Sequence, residues 1–419
     1  MNVIVYPHLL AVGGSQLVAV DLAAAVRDRG HRVTVFGPPG PLVDRVAALR
    51  LPYVAAPPAG RRPSRRVMAA LVDLARTSRA DLVHGYEWPP ALEAYYGPQR
   101  RLGVPAVATV MSMGVAPFLP PHLPVVVGTA ALQADVRARR PGPVHLGEPP
   151  VDVAAEAPGR APGGFRAGLG LAPGDLLVVV VSRLAVELKL EGLLAAVAAV
   201  AELAAELPVH LAVVGDGPAR AELARAAAAA NARRGRPVVH LLGELLDPRP
   251  AYAEADVVLG MGSSALRAMA YARPLVVQGE AGFWETLTPE SAPRFCWQGW
   301  YGVGDGSPGA PRLAGLLREL LGDRARRADL GGFARQLVVD RFSLTRAAAA
   351  QEAVYAAALA APAAFHPVEA ARAASGLVAH KVRRRVARWR GGAPTDDFNA
   401  RAVLPAGLAG RPEPKESLR

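Results

Sequence analysis

Residues 2–37 read NVIVYPHLLAVGGSQLVAVDLAAAVRDRGHRVTVFG, and the order of elements in this stretch sets the fold class. NVIVY (Asn2–Tyr6) is a short apolar run and GGSQ a turn. LVAVDLAAAVRDRG then carries apolar residues on one helical face and stops at Gly30, before a second strand, HRVTVFG (His31–Gly37). Strand, helix and strand with short connections make a right-handed βαβ unit, because a right-twisted strand feeding a right-handed helix packs back onto its sheet only in that hand. A parallel sheet is therefore expected. The opening residues lack the basic flank and long apolar core of a signal peptide.

The alternation continues through ADLVHGYEW (Ala80–Trp88), VPAVATVMS (Val104–Ser112) and PVVVGT (Pro124–Thr129), which predicts one Rossmann-like, doubly wound domain over 1–160. At PVDVAAEAPGRAPGG (Pro150–Gly164) proline and glycine crowd together and apolar periodicity stops, as at a hinge. A second such domain is predicted over 165–362, from the strands DLLVVVVSR (Asp175–Arg183), HLAVVGDGP (His210–Pro218), PVVHLLG (Pro237–Gly243), ADVVLG (Ala255–Gly260) and PLVVQG (Pro274–Gly279). A chain of 419 residues is long enough for two separate cores. The expected architecture is α/β, with two parallel sheets facing a cleft. Ligands in such folds bind at the carboxyl ends of strands, so the residues leaving those ends are the candidates for function.

Four such places can meet a nucleotide ligand. Gly13 and Gly14 sit between a strand and a helix start, where backbone amides are open; a plain tight turn would use them equally well. In VSRLAVELKLEG, Arg183 leaves a strand end and Lys189 follows before the next helix, a forked guanidinium and a mobile ammonium of the kind a diphosphate needs. Gly215 and Gly217 in GDGP can touch a nucleotide through their backbone or simply turn the chain. In GMGSSALRAMAYARPLVV (Gly260–Val277), Gly262, Ser263 and Ser264 supply N-cap chemistry to a helix that carries Arg267.

Over roughly residues 1–360, the order and spacing of GGSQ, SRL with a following lysine, VVGDGP, YAEADVVLG, LRAMAYARPLVV and FSLTRAAAAQEAVY resemble a GT-B fold glycosyltransferase, closest to the retaining family 4 (glycosyl transferases group 1). The resemblance implies transfer of a hexose or related sugar, with retention, from a nucleoside-diphosphate sugar bound by the second domain to a hydroxyl acceptor held by the first. Arg183 and Lys189 match the cations that bind the donor diphosphate and stabilise it as it departs, and Gly13 and Gly14 match the loop that approaches it from the first domain. No cofactor besides the donor is implied. No metal is needed where two cations and helix termini neutralise the charge, and no ligands cluster in the sequence.

Two positions depart from the family pattern. Its helix reads Glu-Ala-Met-Ala, with the glutamate on the donor ribose and a partner glutamate in the preceding loop; here Arg267 stands first and GMGSS has no carboxylate. An arginine cannot accept hydrogen bonds from ribose hydroxyls. It can reach the diphosphate, pair with Glu280 or Glu285, or remain solvated. Where many relatives carry a histidine near the sugar, this chain has Met111. His84 is either a substitute or a hydrogen-bonded core histidine, and Glu87 is a candidate general base for the acceptor hydroxyl. Glu280 and Phe283, with Trp284, Trp297 and Trp300, either form a sugar platform or pack as ordinary core. These departures keep a second reading open, a catalytically impaired nucleotide-sugar-binding partner or sensor.

The net charge is +12, and half of that excess falls from His366 onward, where eleven Lys and Arg face five Asp and Glu. HKVRRRVARWR (His380–Arg390), in a helical extension over 363–390, puts Lys381, Arg384, Arg385 and Arg388 around a stripe of Val378, Val382, Val386 and Trp389. Such a helix suits an anionic membrane surface, a cytoplasmic or inner-face peripheral location and a lipid-linked acceptor, or is simply a solvated tail. Nucleic acid is not expected, since recognised motifs and interleaved aromatics are missing. Residues 391–419, rich in Gly, Pro and charge, are expected to be disordered. The single Cys296 rules out an intrachain disulfide and reads as a small buried hydrophobe or a reactive thiol.

Overall fold

The computed structural model describes residues 1–11, 13–361 and 364–390, so the expected disordered tail lies outside the described residues. Two compact units are present: Met1–Glu148 with the chain from Ala350 onward, and Pro149–Ala349.

The first unit is built on β1 (Asn2–Pro7), β2 (Arg32–Gly37), β3 (Tyr53–Ala55), β4 (Leu82–Tyr86), β5 (Ala106–Val110), β6 (Val125–Val127) and β7 (Val144–Leu146). They form one parallel sheet in the order β3-β2-β1-β4-β5-β6-β7. The second unit holds β8 (Leu176–Val181), β9 (Val209–Val214), β10 (Val239–Gly243), β11 (Val257–Gly260), β12 (Leu275–Gln278) and β13 (Trp284–Thr286), in the order β10-β9-β8-β11-β12-β13. The central strands are unbroken apolar runs, such as LLVVVV in β8, because helices cover both faces of each sheet. Alanines on the helix Leu190–Leu203, among them Ala196, Ala199 and Ala201, allow that close cover.

The sequence reading misses three edge strands, β3, β7 and β13. Each has only three residues, too few for periodicity to register. The last runs antiparallel to β12, so the second sheet is mixed.

Each sheet reverses its winding direction once, between β1 and β4 in the first unit and between β8 and β11 in the second. Such a switch point leaves a crevice at the carboxyl edge of the sheet, because the loops on its two sides lead away to opposite faces.

The unit borders differ from the expected 1–160 and 165–362. Residues 149–164 belong to the second unit: the Val151 amide donates to Phe342 O at 2.9 Å, and the Leu344 amide donates to Val151 O at 2.9 Å. From Ala350 the chain packs on the first unit. Glu352 accepts from Arg29 Nε at 2.7 Å, and the Tyr355 hydroxyl lies 2.7 Å from His84 Nδ1. The C-terminal helix, Pro367–Trp389, buries Ala370, Ala373 and Leu377, and its Ala370 carbonyl accepts from the Tyr96 hydroxyl at 2.7 Å. These long-range partners leave no local trace in the sequence. Among the described residues no helix is long and apolar enough to cross a membrane.

Candidate active site

In the second unit, strand register brings the loops after β8 and β11 together. Leu259 pairs with Val180, so Met261 follows its strand end beside the turn that carries Arg183. That turn is fixed from the β9 side. Ser182 N donates to Val214 O at 3.0 Å, Leu184 N to Asp216 O at 2.9 Å and Ala219 N to Leu184 O at 2.9 Å. Gly215 and Gly217 have φ of +138° and +155°, and a Cβ would lie 1.9 Å from Ser182 O at the first and 2.5 Å from Leu184 O at the second. Glycine is required there by the close passage of the Arg183 turn, whether or not a nucleotide also touches it.

The Arg183 side chain is exposed and, among the described residues, makes no hydrogen bond or ion pair. Lys189 is reached through Leu188, whose φ of +64° is a costly conformation for a side chain of that kind and sets the direction of the next residue. The Lys189 ammonium lies 2.8 Å from Met261 Sδ and, among the described residues, has no carboxylate partner. Burial and then the neighbouring Arg183 charge lower its pKa to about 8. An ammonium held this way beside a second cation is a strong anion ligand whose own charge is uncompensated.

The helix Ser263–Ala270 starts at this edge with no side-chain cap on its amides. Ser264 Oγ is taken up locally, accepting from Met261 N and donating to Met261 O, each at 3.2 Å, while Ser263 is exposed. Gly262, at φ +60°, donates its amide to Trp300 O at 2.9 Å. Two cations and an open helix N-terminus thus share one sheet edge, each part favouring negative charge.

Arg267 points elsewhere. Its Nε lies 3.2 Å from Glu156 Oε1, and both side chains are largely buried. This corrects the expected pairing with Glu280 or Glu285, which are engaged by the Tyr301 hydroxyl and by Arg294 respectively. Glu156 lies in the stretch read as a hinge, which Arg335 also clamps through Val153 O and Glu156 O at 2.8 and 3.1 Å. Arg267 therefore ties the helix to the start of its own unit. Arg267→Lys is expected to lower thermal stability by about 1 kcal/mol, as a weakened charged hydrogen bond, while nucleoside-diphosphate affinity by calorimetry stays within about threefold of wild type; a loss of about 1.4 kcal/mol in binding, tenfold, would place Arg267 on the phosphates.

Of the two readings of the aromatic cluster, the burial of three of its rings fits core packing. Trp284 and Trp300 are 1% and 5% exposed, and Phe283 is buried with its ring against Gly302, where a Cβ would come within 2.4 Å of it. Of the aromatics proposed for the platform, Trp297 alone is exposed. Alternation along so short a strand gave no sign of which ring turns inward.

In the first unit, Glu87 directly follows β4 at φ +69°. Its Oε1 accepts from Met111 N and its Oε2 from Ser112 Oγ, both at 2.9 Å, so the carboxylate joins the loops after β4 and β5. The helix Gly14–Asp28 opens from Gly13, in extended backbone at φ −173°, with no side-chain cap, on the strand adjacent to β4. His84 is a core histidine. Its Nε2 lies 2.6 Å from the Thr109 hydroxyl, and burial lowers its pKa to about 3, which keeps the ring neutral.

Sequence reasoning missed Glu156, and also Glu191, which accepts from Ala281 N and Gly282 N at 3.0 and 2.6 Å and so holds the loop bearing Glu280. It also missed a cluster in the first unit, His122, His366 and Glu369, whose ligand atoms lie within 4.8 Å of one another. His122 is 244 positions from His366 in the chain, so no spacing motif could reveal it.

The sequence model of Glycosyltransferase Family 4 matches residues 12–127, and that of Glycosyl transferases group 1 matches residues 175–295, together more than half of the chain. None of the curated proteins matches by sequence. Among solved structures, a glycosyltransferase from Rickettsia africae superposes with a TM-score of 0.68 at 13% identity, over 85% of this chain and 98% of that one. HepE of Anabaena, solved in complex with UDP, superposes with a TM-score of 0.64 at 17% identity, over 85% of this chain and 100% of that one. WaaG, a glycosyltransferase involved in lipopolysaccharide biosynthesis, gives 0.56 at 16%, over 84% and 98%. These structures share the GT-B fold, and with both halves of the family matched in order along the sequence, the chain belongs to the group 1, family 4 glycosyltransferases.

Proposed function

We propose that the protein transfers a sugar, with retention, from a nucleoside-diphosphate sugar to a hydroxyl acceptor. The observation that carries this is the uncompensated pair Arg183 and Lys189 at the β8–β11 switch point, beside the uncapped N-terminus of the helix Ser263–Ala270. The bond that breaks joins the anomeric carbon to the β-phosphate oxygen, and the electron pair leaves with the diphosphate. Charge grows on that oxygen as the bond stretches, so fixed cations stabilise the transition state more than the bound donor. The acceptor oxygen forms the new bond from the face the diphosphate leaves. Glu87 is the acceptor-side carboxylate of this reading, held in position by its two hydrogen bonds to take up the proton that the acceptor hydroxyl loses. The cations take the part a metal would otherwise play, so turnover is expected to survive chelation.

UDP is the first donor nucleotide to try, since HepE was solved with UDP and with UDP-glucose. A thermal-shift series of nucleoside-diphosphate sugars, followed by an assay of diphosphate release, tests the proposal; a ligand at 100 times its dissociation constant adds about 2.7 kcal/mol. Stabilisation without turnover on any acceptor would favour a second reading, a nucleotide-sugar-binding partner without catalysis. What supports that reading is Arg267, engaged by Glu156 where the family has its ribose-binding glutamate.

Lys189 gives a pH signature with two opposite signs. Its folded pKa of about 8 lies below the usual lysine value, so between pH ~8 and ~10.4 the unfolded chain binds more protons and ligand-free stability rises with pH. Diphosphate affinity is expected to fall over the same window as the ammonium is lost. Parallel melting and titration series check this, and affinity constant up to pH ~10, near the ordinary lysine value, would remove Lys189 from the phosphate site.

A further inference from the structure

The C-terminal helix Pro367–Trp389 buries one face and leaves a second one bare. Ala370, Ala373 and Leu377 turn inward on the first unit, and Gly376 passes close to Phe118, 3.3 Å from where a Cβ would stand. About 100° further round, Val378, Val382 and Trp389 are 59%, 56% and 88% exposed. Lys381 and Arg385 stand at i+3 and i+7 from Val378, so cations and valines share this face.

Across from it, Gly60–Arg62 and Trp88 close a groove of about 1300 Å³ whose lining, among the described residues, includes no acidic side chain. The Arg62 guanidinium is already held by Glu93, but Arg61 and Arg385 are exposed and, among the described residues, have no ion-pair partner. Lys381 donates to the Arg62 carbonyl, so loop and helix form one wall. A surface on which Arg61, Lys381 and Arg385 carry like charge with no carboxylate partner among the described residues, and which exposes an apolar stripe, is matched by a partner that is anionic outside and apolar within.

We propose that this groove and the exposed face of the C-terminal helix dock the protein on an anionic lipid bilayer. Arg61, Lys381 and Arg385 meet lipid phosphates, while Val378, Val382 and Trp389 enter the interface, where lysine and arginine stems snorkel and tryptophan is favoured. The charge of the chain outside the structure argues against self-occupation: residues 391–419 carry four acidic and four basic side chains and bring no net complement to the basic wall. A second copy would set cation against cation. Nucleic acid supplies phosphate but leaves the valine stripe without a role. Trp88 directly follows Glu87, so a lipid seated here presents its head group near the acceptor-side carboxylate; that last step rests on the role given to Glu87 above.

The test is co-sedimentation of the full chain with phosphatidylcholine vesicles, with and without phosphatidylglycerol. Binding is expected only with the anionic lipid and should weaken as salt rises. The double variant Lys381→Glu, Arg385→Glu should reduce partition by about tenfold or more. Trp389→Ser, at a side chain too exposed to support the fold, should reduce it too. Stabilisation by UDP should be the same in wild type and both variants, so the donor site is read separately from the docking surface. Failure to bind anionic vesicles, equal binding to neutral ones, binding that neither variant reduces, or retention of single-stranded nucleic acid without vesicle binding would each overturn the proposal.

Discussion

Lys189→Ala is expected to lower kcat by about 10²–10³-fold, the usual cost of removing a fixed group that stabilises developing negative charge. The ammonium is both charged and desolvated, and desolvation raises the worth of a charge that meets an anion. Arg183→Ala should behave differently. Its guanidinium is exposed, so its contribution falls mainly on binding, about 1.5–3 kcal/mol of nucleoside-diphosphate affinity for a hydrogen bond to a charged group. Steady-state kinetics with direct titration separates the two. A Lys189→Ala enzyme with wild-type kcat, or an Arg183→Ala enzyme with wild-type affinity, contradicts the assignment of that residue.

The largest loss of stability is expected from Glu93→Ala. Glu93 is fully buried and its carboxylate accepts from the Tyr6 hydroxyl at 2.7 Å, from Arg62 Nε and a terminal guanidinium nitrogen at 2.8 and 2.7 Å, and from Ser64 N at 2.7 Å. Removing it leaves a largely buried guanidinium and two further donors, the Tyr6 hydroxyl and the Ser64 amide, without their acceptor. One-sided removal of a buried ion pair costs about 3–5 kcal/mol, more than an exposed pair could ever supply. At roughly 2–4 °C per kcal/mol for a unit of this size, the first unit should melt about 10 °C lower. Glu93→Gln keeps an acceptor for part of the network and should fall between. Because Arg62 carries the loop 60–62, the alanine variant should also weaken vesicle binding while the donor response of the second unit persists. A melting point within about 1 °C of wild type would mean that the network adds nothing to the fold.

What could be read from the sequence follows from the range of each interaction. Ten strands of the two sheets show as short, largely apolar stretches between turn signals, and the βαβ hand then orders them. Arg183 and Lys189 are legible because each lies a few residues past a strand end, where local order alone dictates the edge of the sheet. Arg267 is not, because its partner Glu156 lies 111 positions earlier in a stretch without periodicity. The direction of the Phe283 ring is not legible for a related reason: whether a ring after a strand turns outward depends on β13 and on Gly302, both contributed by later chain. Gly215 and Gly217 were visible as glycines, but not the backbone that passes within 2.5 Å of where their Cβ atoms would be. The docking of the C-terminal helix on the first unit was hidden in the same way, while its basic and apolar stripes were plain from spacing.

The most direct test of a diphosphate held by the β8–β11 edge is one calorimetric comparison, UDP and uridine titrated into wild type and into the Arg183→Ala, Lys189→Ala double variant. Wild type should bind UDP far more tightly than uridine, and the double variant should bind the two nearly alike. Equal UDP affinity in the two proteins would show that these cations do not hold the phosphates.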